Sequence, residues 1–582
     1  MDTTTRPSGR VVRVVPDVGA IDREFDYVVP STWEDDGRAE RVAVGSMVRV
    51  VLAGRRVAGW ITGVDVDPPP GVELAPLAKL SGVGPDAELQ ELAGWAAWRW
   101  AGRRVAFLRM ASPPRMVTAI PRRSNPTPAP TGPGAAFDGA FDIGVAVLRA
   151  GPADDPTSLV LAACRRGDAL VVVPDQAAAR RLAVGVRRAG VTVALAPDDW
   201  ATAAGGATVI GARSAAWMPM PELAAVVVID EHDEALKDER TPAWHARDVA
   251  LERARRRGVP SVLVSATPSL EALRAGRLLR PDRSTERASW PRVDVVDRRD
   301  DDPTRAGPFS ERLTDHLRGD GRVVCVLNRK GRSRLLACAS CGELVRSDDG
   351  RTPMVLQVDV LTTPDGGESR PVVCAHCGST TLKNLRMGVT RAAEELAALV
   401  GEPVDEVTGD AAGAPRSRVV IGTEAVLHRV ATASVVAFLD LDQELLAPRQ
   451  RATEQALALV ARGARLLGPR RDGGRLVLQT RQPDHEVVRA ALHGDPSIVA
   501  VAERDRRRGA GIPPYGAEAL VSGAAADEFI ARLGRPAGLS VRGPVDGRWL
   551  VRAGEHGPLL DALAATERPP GRLRVEVDPL RT

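Results

Sequence analysis

Ala224-Ala225-Val226-Val227-Val228-Ile229 runs without a polar residue straight into Asp230-Glu231-His232-Asp233. An apolar run that stops at a cluster of acids predicts a buried parallel strand delivering those acids at its carboxyl end, the edge where open α/β sheets place ligand chemistry. Behind it, Pro242-Ala-Trp-His-Ala-Arg-Asp248 opens a helical run, and Val262-Leu-Val-Ser-Ala-Thr-Pro-Ser269 supplies a second strand ending in a small polar turn. An acid-ended strand alone is often only structural. The ordered set of strand, helix and polar-ended strand marks a nucleoside triphosphatase core.

Working outward, βα alternation begins at Asp142 and runs through Gly144–Leu148, Ala169–Pro174 and Val191–Ala196 to the central strands. This predicts one RecA-like lobe over 142–290. A second is expected over 291–515, from Val323–Leu327 through Val419–Ile421, Val435–Leu439 and Arg475–Thr480, with a cysteine-bearing insertion at 335–380. The remainder, 516–582, reads as a small α+β domain.

A lobe of this kind needs a phosphate loop, G-x-x-x-x-G-K-[ST], whose backbone N–H groups and lysine hold phosphates and whose hydroxyl ligates magnesium. After Ala146-Val-Leu148 that place holds Arg149-Ala-Gly151-Pro-Ala-Asp154-Asp155-Pro-Thr157-Ser158. Two prolines remove N–H donors, and two aspartates would oppose a phosphate at ~4 Å by roughly 1 to 4 kcal/mol per pair of unit charges. The lysines Lys79, Lys237, Lys330 and Lys383 are followed by Leu80, Asp238, Gly331 and Asn384, so no Gly-Lys-Ser/Thr exists in the chain. ATP and magnesium are therefore not expected as cofactors.

Cys338-Ala-Ser-Cys341-Gly and Cys374-Ala-His-Cys377-Gly are thiolate pairs of the shape that wraps a tetrahedral Zn²⁺, with glycine for the tight turn after each second ligand. They stand 32 residues apart, beyond the usual ribbon spacing. A redox C-x-x-C pair, or His376 in place of a cysteine ligand, are the alternatives. Cys164 and Cys325 lie in apolar runs and read as core.

Nearer the start, short strands at Val11–Val15, Phe25–Val29, Met47–Leu52 and Arg56–Val64 predict a small β-rich domain within 1–117. Between Leu92 and Phe137 there is no acidic residue, while Arg99, Arg103, Arg104 and Arg109 fall inside, interleaved with Trp95, Trp98, Trp100 and Phe107. That composition suits phosphate neutralisation with base stacking. Two bland readings compete with it: tryptophans at helical spacing are core, and the arginines pair with Asp22, Glu24 or Asp26. Residues 118–141, rich in Pro, Gly, Ala and Thr, read as a linker.

At 582 residues the chain should hold three or four domains. With 44% hydrophobic residues and no apolar run near 18, no membrane span is expected, and the amino-terminal residues carry no secretory core, so the expected address is cytoplasmic. Six cysteines, four of them in C-x-x-C pairs, suit metal binding in a reducing compartment. A net charge of +4 does not by itself argue for nucleic acid.

Ile210-Gly-Ala-Arg-Ser-Ala-Ala-Trp-Met-Pro-Met-Pro-Glu-Leu223, H-A-R-D, S-A-T-P-S, Asn328-Arg-Lys-Gly331, the C-x-x-C-G pairs, Ile421-Gly-Thr423, Gln479-Thr-Arg-Gln-Pro-Asp-His485 and Gly511-Ile-Pro-Pro-Tyr-Gly516 together resemble the replication-restart helicase family PriA, primosomal protein N′. The resemblance covers about residues 10 to 516. It implies an N-terminal domain that holds a DNA 3′ end, and two RecA-like helicase lobes. It also implies recognition of forked or single-stranded DNA and recruitment of primosome, helicase-loading or single-strand-binding proteins. Because the family's outermost cysteine pairs share one zinc and its inner pairs are missing here, the resemblance implies one zinc per chain. There is no room for the winged-helix domain that usually follows the N-terminal one.

Against the family pattern, D-E-E-H becomes Ile229-Asp230-Glu231-His232, and Q-x-x-G-R-x-G-R is absent after Arg451-Ala-Thr-Glu454. Three lost ATP motifs predict a fork-binding restart protein without a motor. An active 3′ to 5′ helicase with an unorthodox nucleotide site is the alternative. A zinc-dependent scaffold for proteins is a third reading, separable by the salt dependence of DNA binding.

Overall fold

The computed structural model describes residues 9–581 apart from 20, 69–70, 122–134, 302–306, 329–335, 342, 344, 349–353, 358, 364–366, 385–388 and 410–412. The chain forms two compact units, one made of 1–149, 155–279 and 504–582, the other of 150–154 and 280–503. The boundary expected at 290 thus lies inside the second unit, and most of the expected linker lies outside the described residues.

In the first unit the N-terminal strands form a five-stranded sheet, ordered Phe25–Val28, Val11–Pro16, Arg55–Val64, Ser46–Leu52, Lys79–Val83. Period-2 alternation sends Val12, Val14, Val48, Val50 and Ile61 into one core with Tyr27 and Trp33. Two helices follow. Ala87–Arg99 starts where Asp86 accepts the Leu89 amide at 2.9 Å. The chain then turns at Ala101, which has a positive φ, and re-enters a helix at Arg104–Ala111. Arg99 and Arg103 therefore do not share one helix face.

The first lobe is a seven-stranded parallel sheet ordered Arg277–Leu279, Val145–Arg149, Ser261–Ser265, Leu223–Ile229, Asp168–Val172, Thr208–Gly211, Val193–Leu195. Burial on both faces explains why Val226, Val227 and Val228 are all apolar. Residues 517–577 add a four-stranded antiparallel sheet, ordered Leu539–Val545, Arg548–Ala553, Ala517–Ser522, Arg574–Val577. With helices Ala526–Leu533 and His556–Ala565 the chain order is β-α-β-β-α-β, a ferredoxin-like topology.

These three parts share one core. The rings of Trp95, Trp100, Phe107, Trp217 and Trp244 pack in a chain of contacts 5.3 to 6.5 Å between centroids. The tryptophans set among the arginines are therefore packing residues here. Arg253, fully buried, donates to Glu88 at 3.0 Å and to the Met218 carbonyl at 2.8 Å, fixing the N-terminal domain against the first lobe. Trp98 donates to Asp561, and Lys237 to the carbonyls of Val577 and Asp578, which fixes the C-terminal domain to both.

The second unit holds a six-stranded parallel sheet ordered Arg292–Asp297, Arg475–Thr480, Val435–Phe438, Val323–Val326, Val419–Gly422, Val404–Val407. Its insertion contains the antiparallel pair Leu336–Cys338 with Leu382–Asn384, and a three-stranded sheet of Val355–Gln357, Val360–Thr362 and Ser369–Pro371. Leu336, Val345, Met354 and Leu361 form a small apolar cluster within the insertion.

Candidate functional site

At the carboxyl end of Leu223–Ile229 the acids turn inward. Asp230 takes a left-handed φ of 49°, and Glu231 is completely buried. Glu231 accepts from the Ser269 amide at 2.7 Å, the Ser269 hydroxyl at 2.8 Å and Arg247 Nη1 at 3.0 Å. Arg247 also donates to Asp248 at 3.1 Å, and His232 Nδ1 meets the Ser265 hydroxyl at 2.6 Å. Burial pushes the Asp248 carboxyl up, but Arg247, His245 and Arg99 together hold it down to about 2. The acid cluster, H-A-R-D and S-A-T-P-S are thus stitched into one network. Three donors hold Glu231 within the protein.

At the phosphate-loop position the two aspartates bond to their own chain neighbours. Asp154 accepts the Gly151 amide at 2.7 Å. Asp155 accepts both the amide, at 3.0 Å, and the hydroxyl, at 2.7 Å, of Thr157, the first residue of helix Thr157–Cys164. A helix N-terminus offers amides and a positive dipole to an anion; here a carboxylate of the protein stands there. In the second unit Arg465 Nε donates to the Pro152 carbonyl at 2.8 Å. Arg465 lies on helix Ala452–Leu467, which follows Arg451-Ala-Thr-Glu454, so an arginine of the late-motif region is engaged with backbone.

Cys338, Cys341, Cys374 and Cys377 come together with all four sulfurs within 4.8 Å of one another. The Sγ···Sγ distances are 3.4 Å for Cys338 and Cys377 and 3.6 Å for Cys341 and Cys374. A tetrahedral ion with Zn–S near 2.3 Å requires sulfurs about 3.8 Å apart, so the four thiols fit one such ion. The antiparallel strand Leu336–Cys338 brings in the first pair, and a turn closed by Gly378, at φ 74°, presents the second. The Cys341 backbone amide, with other donors, lowers the Cys338 thiol, whereas burial and the neighbouring thiols raise Cys341, so the packed thiols compete for one negative charge that a cation would relieve. His376 has no place in this cluster. Burial pushes Cys164 up to about 11 and Cys325 up to about 12, as expected of core thiols.

The four arginines do not converge. Arg99 is largely buried and pairs with Asp578 at 2.8 Å and Asp248 at 3.6 Å, tying the C-terminal domain and first lobe together. Arg104 pairs with Glu24 at 2.8 Å and Arg109 with Asp17 at 2.5 Å. Arg103 donates to the Gly19 carbonyl at 2.6 Å and has no carboxylate partner among the described residues. Sequence reading did not single out Asp578, His556 or Lys237, because their roles depend on the C-terminal domain docking near Arg99. His556 Nε2 lies 2.8 Å from the Asp578 carboxylate.

Among the described residues no helix is long and apolar enough to cross a membrane. Residues 11–113 match the family model described as 3′DNA-binding domain (3′BD), which covers the N-terminal sheet and both helices. A protein of Mycobacterium leprae (strain TN) named "Probable replication restart protein PriA" is 31% identical over 90% of each chain. A protein of the same name from Mycobacterium tuberculosis (strain CDC 1551 / Oshkosh) is 30% identical over 85% of this chain and 83% of its own. The replication restart protein PriA of Haemophilus influenzae is 26% identical over 62% of this chain and 54% of its own. An N-terminal 3′DNA-binding domain, parallel α/β lobes, a four-cysteine cluster and identity extending over nine-tenths of a relative are one consistent set, and the chain belongs to the replication restart protein PriA family.

Proposed function

We propose that this chain binds the DNA of stalled or abandoned replication forks, through a 3′ end held by residues 11–113, and nucleates loading of primosome or replicative-helicase proteins without ATP-driven unwinding. The observation that supports the motor-free part is the nucleotide corner, where Asp155 accepts the first amide of the helix and Glu231 is bonded by Arg247 and Ser269. An incoming phosphate would meet the carboxylates of Asp154 and Asp155 in place of a lysine and free amides. One Zn²⁺, held by Cys338, Cys341, Cys374 and Cys377, closes the insertion.

Arg103 is the member of the arginine set best placed to neutralise a phosphate, because its partner is a carbonyl and its charge stays uncompensated by an acid. Burial, together with the neighbouring Arg103 charge, lowers Arg568, while Asp22 acts in the opposite direction. The test is paired. Purified chain should bind a forked substrate carrying a recessed 3′ end, with salt-dependent affinity, and release no phosphate from ATP on that fork. Turnover near ~1 per second, within the ordinary enzyme range, would refute the motor-free reading. Salt-independent, end-independent binding would refute the fork reading.

A further inference from the structure

Gly511-Ile-Pro-Pro-Tyr-Gly516 has no part in the nucleotide corner, the cysteine cluster or the 3′-end domain, yet the fold builds a distinct surface feature from it. The chain has two tyrosines. Tyr27 is a core residue whose hydroxyl donates to the Val51 carbonyl at 3.3 Å. Tyr515 is partly exposed, and its hydroxyl has no partner among the described residues. Two guanidiniums flank its ring, with Arg274 Cζ 5.4 Å and Arg508 Cζ 5.2 Å from the centroid. Arg274 is pinned to the Pro514 carbonyl at 2.8 Å. Neither arginine has a carboxylate partner among the described residues. Glu271, the acid on the same helix as Arg274, is 3.6 Å from the buried Arg507.

The loop that presents the ring is held from both ends. Ile512 donates to the Arg507 carbonyl at 3.1 Å and Tyr515 to the Ile512 carbonyl at 2.9 Å. At Gly516 a Cβ would stand 2.0 Å from the Gly511 carbonyl oxygen, so only glycine lets the loop close this tightly. A ring held this way pays little ordering entropy on binding. Two cations on one ring attract its π-face but repel each other, and an anion between them would relieve that repulsion.

We propose that Tyr515, Arg274 and Arg508 form a second DNA contact, in which the ring stacks on an unpaired base and the two guanidiniums hold the adjoining phosphates of a single strand. The inference rests on the fork-binding reading above and adds a single-strand site to it. Single-stranded DNA is favoured over an acidic protein segment because an acidic segment would use the two charges and leave the aromatic ring without a role. Stacking on an aromatic ring flanked by arginine is sequence-tolerant, as a protein acting at arbitrary forks requires.

The experiment uses the full chain and forks whose single-stranded arm carries 5-iododeoxyuridine, with photocrosslinks mapped by mass spectrometry. A crosslink at Tyr515 is expected. Tyr515→Phe should keep affinity for the tailed fork, while Tyr515→Ala should lose about 5- to 100-fold and leave a tailless duplex unaffected. The Arg274→Gln/Arg508→Gln double variant should flatten the salt slope by about 0.7 per contact. If these side chains only hold the loop, thermal unfolding will shift in the variants while crosslinking and affinity stay with the parent, and the proposal is overturned. Loss of an acidic peptide's binding with DNA affinity intact would overturn it equally. A parent chain that binds no fork at all removes the fork-binding reading itself, whereas fork binding without a Tyr515 contact removes only this inference.

Discussion

Arg99 and Arg103 stand four positions apart in the same acid-free stretch, yet the structure gives them different work. Arg99 is paired with Asp578 and Asp248 in a largely buried network, whereas Arg103 meets only a carbonyl. Arg103→Ala should weaken fork binding and reduce the salt slope by about 0.9, the value for one phosphate contact on duplex DNA. Arg99→Ala should leave that slope unchanged and lower the melting temperature, because removing one partner strands buried carboxylates. A fluorescence-anisotropy salt titration with parallel melts separates the two. Glu231 makes a similar point about acids. In an active motor such an acid would serve turnover; here Glu231→Gln should lower stability, by less than the about 3 to 5 kcal/mol of a buried ion pair broken outright, since Arg247 keeps Asp248. Chemical denaturation would register this, and unchanged stability would return Glu231 to a catalytic role.

Among the elements, the cysteine insertion is the one whose stability is expected to come from a metal. Among the described residues its apolar cluster has four buried members with Val372 and Leu382 packed against them, too little to hold two small sheets unaided. Structural zinc contributes on the order of 10 to 16 kcal/mol in small peptides, so Cys374→Ala or chelation should release the antiparallel pair Leu336–Cys338/Leu382–Asn384 while the first lobe stays folded. Metal analysis should return one zinc per parent chain, and hydrogen exchange should show protection lost in the insertion alone. Helix Thr157–Cys164 offers a contrasting case, since its N-terminus is served by Asp155. Asp155→Ala should cost about 1 kcal/mol, as for lost hydrogen bonds, and confer no ATP binding, because the phosphate-loop lysine is still missing.

At the scale of the molecule, the first unit joins three domains through rings and buried charges, so it should unfold as one cooperative body. Burial raises Asp578, but Arg99 and His556 hold it far below the usual carboxylate range, and Asp248 is held at about 2. A carboxyl depressed in the folded state contributes stability that is complete above its unfolded value, about 3.9, and is lost as pH falls through the folded one. The stability gap between parent and Asp578→Asn should therefore be largest at pH 5 and narrow between about pH 4 and 2. A gap that does not change with pH would show that the ion network does not hold the C-terminal domain. Much of this protein was legible in its sequence. The acid-ended strand, the polar-ended strand behind it, the missing phosphate loop and the two cysteine pairs are local patterns, and local patterns follow from backbone periodicity and ligand chemistry. The destinations of the arginines and tryptophans were not, because residues far apart in the chain decide them. Trp100 and Phe107 look the same in sequence whether they stack on DNA or on Trp244 and Trp217, and Arg99 looks free until Asp578, 479 positions later, docks against it. Periodicity fixes which face an element presents; what covers that face is settled only when the C-terminal domain and the first lobe close over it, since burial and ion pairing are properties of the packed whole.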